Sequence, residues 1–172
     1  MKRMFLVVMV LVVFSIPAYA TSLEFNYSSF TGASMTDFIL TTELTENIVV
    51  RGTYSSASTL FGGGSKFDIQ GGVKMQKEST ILLLAGIRKG EYETGLLISG
   101  DFKSPYINEN TPLFMHTMID LVIWQDRDVS ALFNRFLLGY QVESLALKGG
   151  LYWLTSQGQS EYGPTFGIEF GF

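Results

Sequence analysis

The clearest pattern in the sequence is the stretch of residues 66–76, which reads KFDIQGGVKMQ. Apolar or small side chains at the odd positions from 67 to 75 alternate with polar or small ones at the even positions from 66 to 76. A period of two places successive side chains on opposite faces of a β-strand, whereas a helix needs a period near 3.6. The stretch therefore predicts a strand with one apolar and one polar face.

The same alternation continues on both sides of this stretch and covers most of the chain after residue 20. Ten segments carry it: 23–28, 37–44, 48–55, 66–76, 80–88, 91–102, 113–124, 132–143, 145–156 and 162–172. Segment 80–88 is a nearly continuous apolar run, so the pattern leaves its two faces unassigned. Most segments are nine to thirteen residues long. That length suits a tilted strand crossing a bilayer, which needs about 9–11 residues, better than the five or six of an average soluble strand.

Short connections join the segments, and no repeat or interdomain linker separates them. In hydrocarbon an open sheet edge would leave unpaired N–H and C=O groups, so only a closed barrel is stable there. Single-chain bacterial barrels have an even number of strands. We therefore predict an all-β fold, a closed, antiparallel, up-and-down transmembrane β-barrel of ten strands, with eight strands as the alternative.

The first twenty residues have the three parts of a secretory signal peptide. Lys2 and Arg3 precede an apolar stretch at 4–16, and small residues at Ala18 and Ala20 form the cleavage signature. The apolar stretch is too short for a spanning helix, which needs about 20 residues. We expect cleavage after Ala20, giving a signal peptide at 1–20 and a barrel domain at 21–172, with an uncleaved N-terminal anchor as the alternative.

Composition narrows the function classes. Without Lys2 and Arg3 the chain holds ten basic and sixteen acidic residues, a balance that argues against a nucleic-acid partner. There is no Cys, so an exported domain of this size depends on its core, its closure or a membrane and not on disulfides. Charged residues make up 16% of the chain, below the usual ~25%.

The last segment resembles the C-terminal β-signal of bacterial outer-membrane β-barrel proteins. In that signal a polar residue, a glycine and alternating hydrophobic or aromatic residues end on a terminal Phe. The matching positions here are Glu161, Gly163, Phe166, Ile168, Phe170 and Phe172. The resemblance covers this strand alone. It implies an outer-membrane location, lipid contacts, and recognition by the barrel-assembly machinery during biogenesis.

Alternation does not say which face points outward. A soluble periplasmic calycin-like barrel that binds a ligand in an apolar interior has the same period. The strand lengths favour the membrane interpretation, and so do the aromatic residues of the last strand, which would invite aggregation on a soluble edge.

With the apolar face toward lipid, the strand charges point into the lumen. The expected lumen network consists of Glu24, Arg51, Asp68, Lys74, Glu93, Asp120, Arg135, Glu143, Lys148 and Glu169. Such charges are tolerable when they pair, which predicts an occluded lumen and a structural or surface-interaction role. A polar path for small solutes, a narrow pore, is the alternative function.

An enzyme is not expected. His116 is the only His, and Asp120 lies on the same strand face but ~13 Å away at ~3.3 Å per residue. No nucleophile motif, phosphate-binding loop or paired metal-ligand spacing accompanies it. We therefore predict no catalytic residues, no cofactor and no metal site from the sequence.

Overall fold

The computed structural model describes residues 20–30, 33–58, 64–90, 93–107, 111–125 and 130–172. This part of the chain forms ten strands: β1 Ala20–Phe30, β2 Ala33–Glu43, β3 Ile48–Ser58, β4 Gly64–Gln76, β5 Thr80–Lys89, β6 Thr94–Lys103, β7 Leu113–Trp124, β8 Ser130–Val142, β9 Leu145–Ser156 and β10 Gln159–Gly171. Within these ranges no helix is long and apolar enough to cross a membrane, which has no bearing on crossing by strands. The expected signal peptide lies outside the described residues, apart from Ala20.

Every strand pairs antiparallel with the next, and β10 pairs with β1, so the sheet closes on itself. The prediction of a ten-stranded, closed, up-and-down barrel is confirmed, and the eight-stranded alternative is wrong. An even strand number brings both chain ends to one end of the barrel, which we call the terminal end. The turns at 44–47, 77–79, 104–112 and 143–144 share it. At the other end, the loop end, β1 leads to β2, β3 to β4, β5 to β6, β7 to β8 and β9 to β10.

The seam between β1 and β10 closes the barrel. Its register runs from Ser22 opposite Gly171 to Ser28 opposite Thr165. At Gly163, one of the β-signal positions, an added Cβ would lie 1.8 Å from the carbonyl oxygen of Ser29. Only glycine allows this approach of the two strands, because any side chain would collide with backbone.

The two faces of the sheet differ as the alternation predicts. On β6, Leu96 is 47% exposed on the outer face and the adjacent Leu97 is fully buried inside. The structure also assigns the faces of segment 80–88. Leu82 and Arg88 point inward and are buried, whereas Ile87 on the outer face is 58% exposed.

Two of the turns that the structure describes have two residues, and one of them corrects an expectation. Gln157 and Gly158 both have positive φ, at 54° and 74°, as a tight turn that matches strand twist requires. In the β8–β9 hairpin, Val142 pairs with Leu145, so the strand ends before Glu143. Glu143 has a φ of 53° and is exposed in the turn, contrary to the expectation that it would point into the lumen.

Candidate functional site

The inner surface of the barrel is the candidate site, because it gathers the charged side chains. Of the residues expected there, Glu24, Arg51, Asp68, Arg135 and Lys148 are buried inside, and Lys74, Asp120 and Glu169 are half-buried on the same face. Glu93 is half-buried in the β5–β6 connection, and Glu143 is outside the lumen. Asp37, Arg88, Asp101 and His116 are buried on the inner face as well.

Ion pairs span the middle of the lumen. Arg88 donates two hydrogen bonds to Asp68, at 2.8 Å from Nε and 2.6 Å from Nη2, and lies 3.9 Å from Asp120. Arg135 donates to Asp37 across the barrel. Both arginines are at most 7% exposed, so these pairs are shielded from solvent. Charge inside this barrel is therefore compensated across it and not only along one strand.

Above these pairs, at the loop end, apolar side chains fill the lumen. This apolar plug consists of Phe30, Met35, Leu97, Val122, Trp124, Ala131, Phe133, Tyr152 and Leu154. Cations border it: the Arg88 guanidinium lies 4.8 Å from the Phe133 ring centroid, and that of Arg135 lies 5.1 Å from the ring of Tyr152. Such contacts let apolar and charged layers pack directly on each other.

The opposite half of the lumen is hollow. A cavity of ≈ 340 Å³, the vestibule, lies at the terminal end and reaches inward to Arg51, Asp101 and His116. Its rim carries hydrogen-bonding side chains such as Gln76 and Gln141. This volume lies within the range of small-molecule pockets, about 300–1,000 Å³, but the wall is more polar than most of them.

At the inner limit of the vestibule, His116 joins two charged groups. Its Nε2 lies 2.7 Å from Asp101 Oδ1, and its Nδ1 lies 3.1 Å from Lys148 Nζ. An ammonium has only donors, so Nδ1 must accept, and Nε2 carries the hydrogen donated to Asp101. Asp101 also accepts from Arg51 at 2.5 Å. This network fixes the ring and its tautomer.

Lys148 in turn contacts two carboxylates, Glu24 at 2.6 Å and Glu169 at 3.1 Å. Glu24, His116 and Glu169 each offer one metal-ligand atom, and those atoms lie within 4.8 Å of one another. No sequence pattern reveals this group, since its members are far apart in the chain and meet only when the barrel closes. Within the described ranges these three are the one set of side chains suited to a metal ion.

The C-terminal residues that match the β-signal lie along β10, except Phe172, which follows it directly. Phe166, Ile168, Phe170 and Phe172 point outward and are exposed, Phe172 at 78%. Gly163 faces inward against β1. An exposed aromatic row on the closing strand is available for contact with lipid or with another protein.

Comparison with known proteins supports the fold and does not identify a family. No family model and no curated protein sequence matches the chain. Among solved structures, the KdgM porin aligns over 88% of this chain and 99% of its own length, with a TM-score of 0.52 and 7% sequence identity. The N-terminal β-barrel domain of OprF from Pseudomonas aeruginosa aligns over 90% of this chain and 98% of its own, with a TM-score of 0.43 and 12% identity. At 7% identity the likeness to the KdgM porin shows a shared barrel fold and nothing about what this chain binds.

Proposed function

We propose that the chain is an integral outer-membrane β-barrel protein, exported by a signal peptide that is cleaved after Ala20. One observation supports this proposal above the others: apolar side chains cover the outer face of the barrel, while charged pairs occupy its inner face. Leu83, Ile87 and Leu151 are half to nearly two-thirds exposed on the outside. A soluble protein rarely exposes a continuous apolar surface beyond a few hundred Å².

The same partition argues against the calycin-like alternative. A soluble ligand-binding barrel would keep its apolar face inside and its charges in water. Here Asp68 and Arg88 are at most 5% exposed in the interior, and Phe136 on the outer face is 52% exposed. Burial of charge inside and exposure of aromatic rings outside is the pattern of a barrel whose solvent is lipid.

The orientation follows from the route of export. A chain that reaches the outer membrane from the periplasm and inserts as hairpins leaves both its ends on the side of entry. The terminal end, with the vestibule, then faces the periplasm, and the plugged loop end faces outward. Connections at the loop end are two to five residues long, which favours a structural role over recognition by extended surface loops.

We further propose that the lumen is closed to solutes and that the protein has no catalytic activity. The apolar plug and the ion pairs beneath it occupy consecutive layers of the barrel. Among the described residues, neither layer holds a nucleophile beside a base. The vestibule favours the rival function, a narrow pore, because it already supplies half of a water-filled path. A barrel of eight strands is filled by its side chains and clear channels need about sixteen, so ten strands leave little room.

Two measurements test the proposal. Cell fractionation should place the mature protein in the outer membrane, with detergent needed for its release; recovery in the soluble periplasm would overturn the location. Purified barrel added to planar bilayers should give no steady openings. Ion-selective openings from the wild-type protein would establish the pore instead.

A further inference from the structure

Two carboxylates of like charge face each other across the seam that closes the barrel. Glu24 on β1 and Glu169 on β10 are directly opposed in the register, and both point into the lumen. Like charges at directly opposed positions destabilise strand pairing. The first and last strands therefore need a cation between these two residues in order to pair in this register.

Lys148, on β9, supplies that cation; Lys103, on β6, lies farther off, at 3.5 Å from Glu169. Its side chain is fully buried, and its three N–H donors have three acceptors: Glu24 at 2.6 Å, Glu169 at 3.1 Å and His116 Nδ1 at 3.1 Å. An ammonium has three donors, so the group is saturated. Lys148 thus links β1, β7, β9 and β10 at a single point.

We propose that Glu24, His116 and Glu169 form a cation-binding site at the closing seam, that Lys148 fills it in the natural protein, and that a zinc-class divalent ion can take it when the lysine is removed. The occupied site fixes the register of closure. When β10 meets β1, the carboxylate of Glu24 docks on an ammonium already held by Glu169. A strand shifted by one residue would turn Glu24 toward the outer face instead.

The chemistry of the three groups fits a borderline divalent ion. Zinc takes imidazole nitrogen and carboxylate oxygen, and a ligating histidine usually donates its other N–H to a carboxylate, as His116 does to Asp101 at 2.7 Å. The vestibule, which all three ligands line, offers an entry path and room for water as a further ligand. In the natural protein the ammonium of Lys148 repels a second cation at this distance, so we expect no zinc binding there.

The experiment compares the full mature barrel, refolded in detergent, with its Lys148→Ala variant. Melting is followed by circular dichroism and by gel mobility with and without heating, in EDTA and in zinc chloride. We expect Lys148→Ala to lower Tm by roughly 10 °C in EDTA. Zinc should restore about half of that loss or more in this variant, and should leave the wild-type Tm unchanged.

Two controls make the result specific to the seam. Lys74→Ala removes another lumen lysine, which pairs with Glu43 at 2.7 Å away from the seam, and its Tm should not respond to zinc. Lys148→Ala combined with His116→Ala should lose the zinc response while it keeps both carboxylates.

The proposal is overturned if Lys148→Ala melts like the wild type, or if it folds with a lower Tm that zinc leaves unchanged. If that variant does not fold, with or without zinc, Glu24→Gln in the same background removes one of the two like charges. Recovery of folding by the double variant supports the proposal, and failure of both variants overturns it. The proposal rests on the seam geometry alone, so the location of the barrel in the cell does not affect this test.

Discussion

Removal of the Arg135 side chain should destabilise the barrel strongly, because it would leave a buried carboxylate without its counter-ion. Arg135 is 7% exposed and Asp37, its partner, is 2% exposed in the middle of the lumen. Breaking a buried ion pair from one side costs about 3–5 kcal/mol, most of it from the charge left without compensation. The free energy of unfolding of Arg135→Ala should therefore fall by about that amount.

Neutralising the partner should recover part of this loss. Asp37→Asn in the Arg135→Ala background removes the uncompensated negative charge and keeps the shape of the side chain. The double variant should therefore be more stable than Arg135→Ala alone. A matched control comes from the terminal end. Lys74 and Glu43 form a pair at 2.7 Å whose side chains are 13% and 21% exposed. We expect Lys74→Ala to cost clearly less than Arg135→Ala, because the vestibule gives solvent partial access to this pair.

The assay is reversible urea unfolding in lipid vesicles, followed by the mobility shift between folded and unfolded barrel. The reasoning is refuted if Arg135→Ala and Lys74→Ala cost the same within error. It is also refuted if Asp37→Asn fails to improve the stability of Arg135→Ala.

Three further predictions concern the outer face, assembly and the plug. Ile98→Arg, on the outer face near the middle of β6, should lower the free energy of unfolding by about 2–4 kcal/mol in the same assay. Thr94→Arg, at the end of that strand, should lower it by about 1 kcal/mol or less. Equal losses would contradict a lipid-facing surface. Phe172→Ser should nearly abolish outer-membrane levels in cells yet leave the stability of refolded barrel almost unchanged, since Phe172 is 78% exposed; normal cellular levels would contradict the β-signal. Replacement of Trp124 and Phe133 together by Ala should produce ion conductance in planar bilayers where the wild type is silent, and continued silence would show that the plug is not the barrier.

The sequence alone was sufficient for the strand number and for the faces of most strands. Both follow from the period of two in the sequence. This period is present because one face of every strand must be apolar and the other polar. The sequence does not show that Arg88 points inward, because segment 80–88 is apolar on both faces. Leu82 and Leu84 also point inward and are buried. The apolar plug was not predicted either, because its residues, such as Val122, are apolar although they face inward.

The group formed by Glu24, His116 and Glu169 around Lys148 cannot be predicted from any local sequence pattern. Its ligand atoms come from β1, β7 and β10, and the cation comes from β9. Their meeting depends on the register of the closing seam, which pairs Glu24 with Glu169. From the sequence, His116 could be compared only with neighbours on its own strand, where Asp120 is too far away to bond. The assignment of Glu143 to the lumen failed because alternation does not show where a two-residue turn ends a strand.

The central claim is that the outer face of the barrel contacts lipid and the inner face does not. The chain has two tryptophans, one on each face: Trp153 is 55% exposed on the outside of β9, and Trp124 is 8% exposed inside the lumen. The most direct test is fluorescence quenching in vesicles of lipids brominated on their acyl chains, with Trp124→Phe and Trp153→Phe leaving one tryptophan each. We expect strong quenching of Trp153 and little quenching of Trp124. Strong quenching of Trp124 with Trp153 unaffected, or no quenching of either, would contradict it.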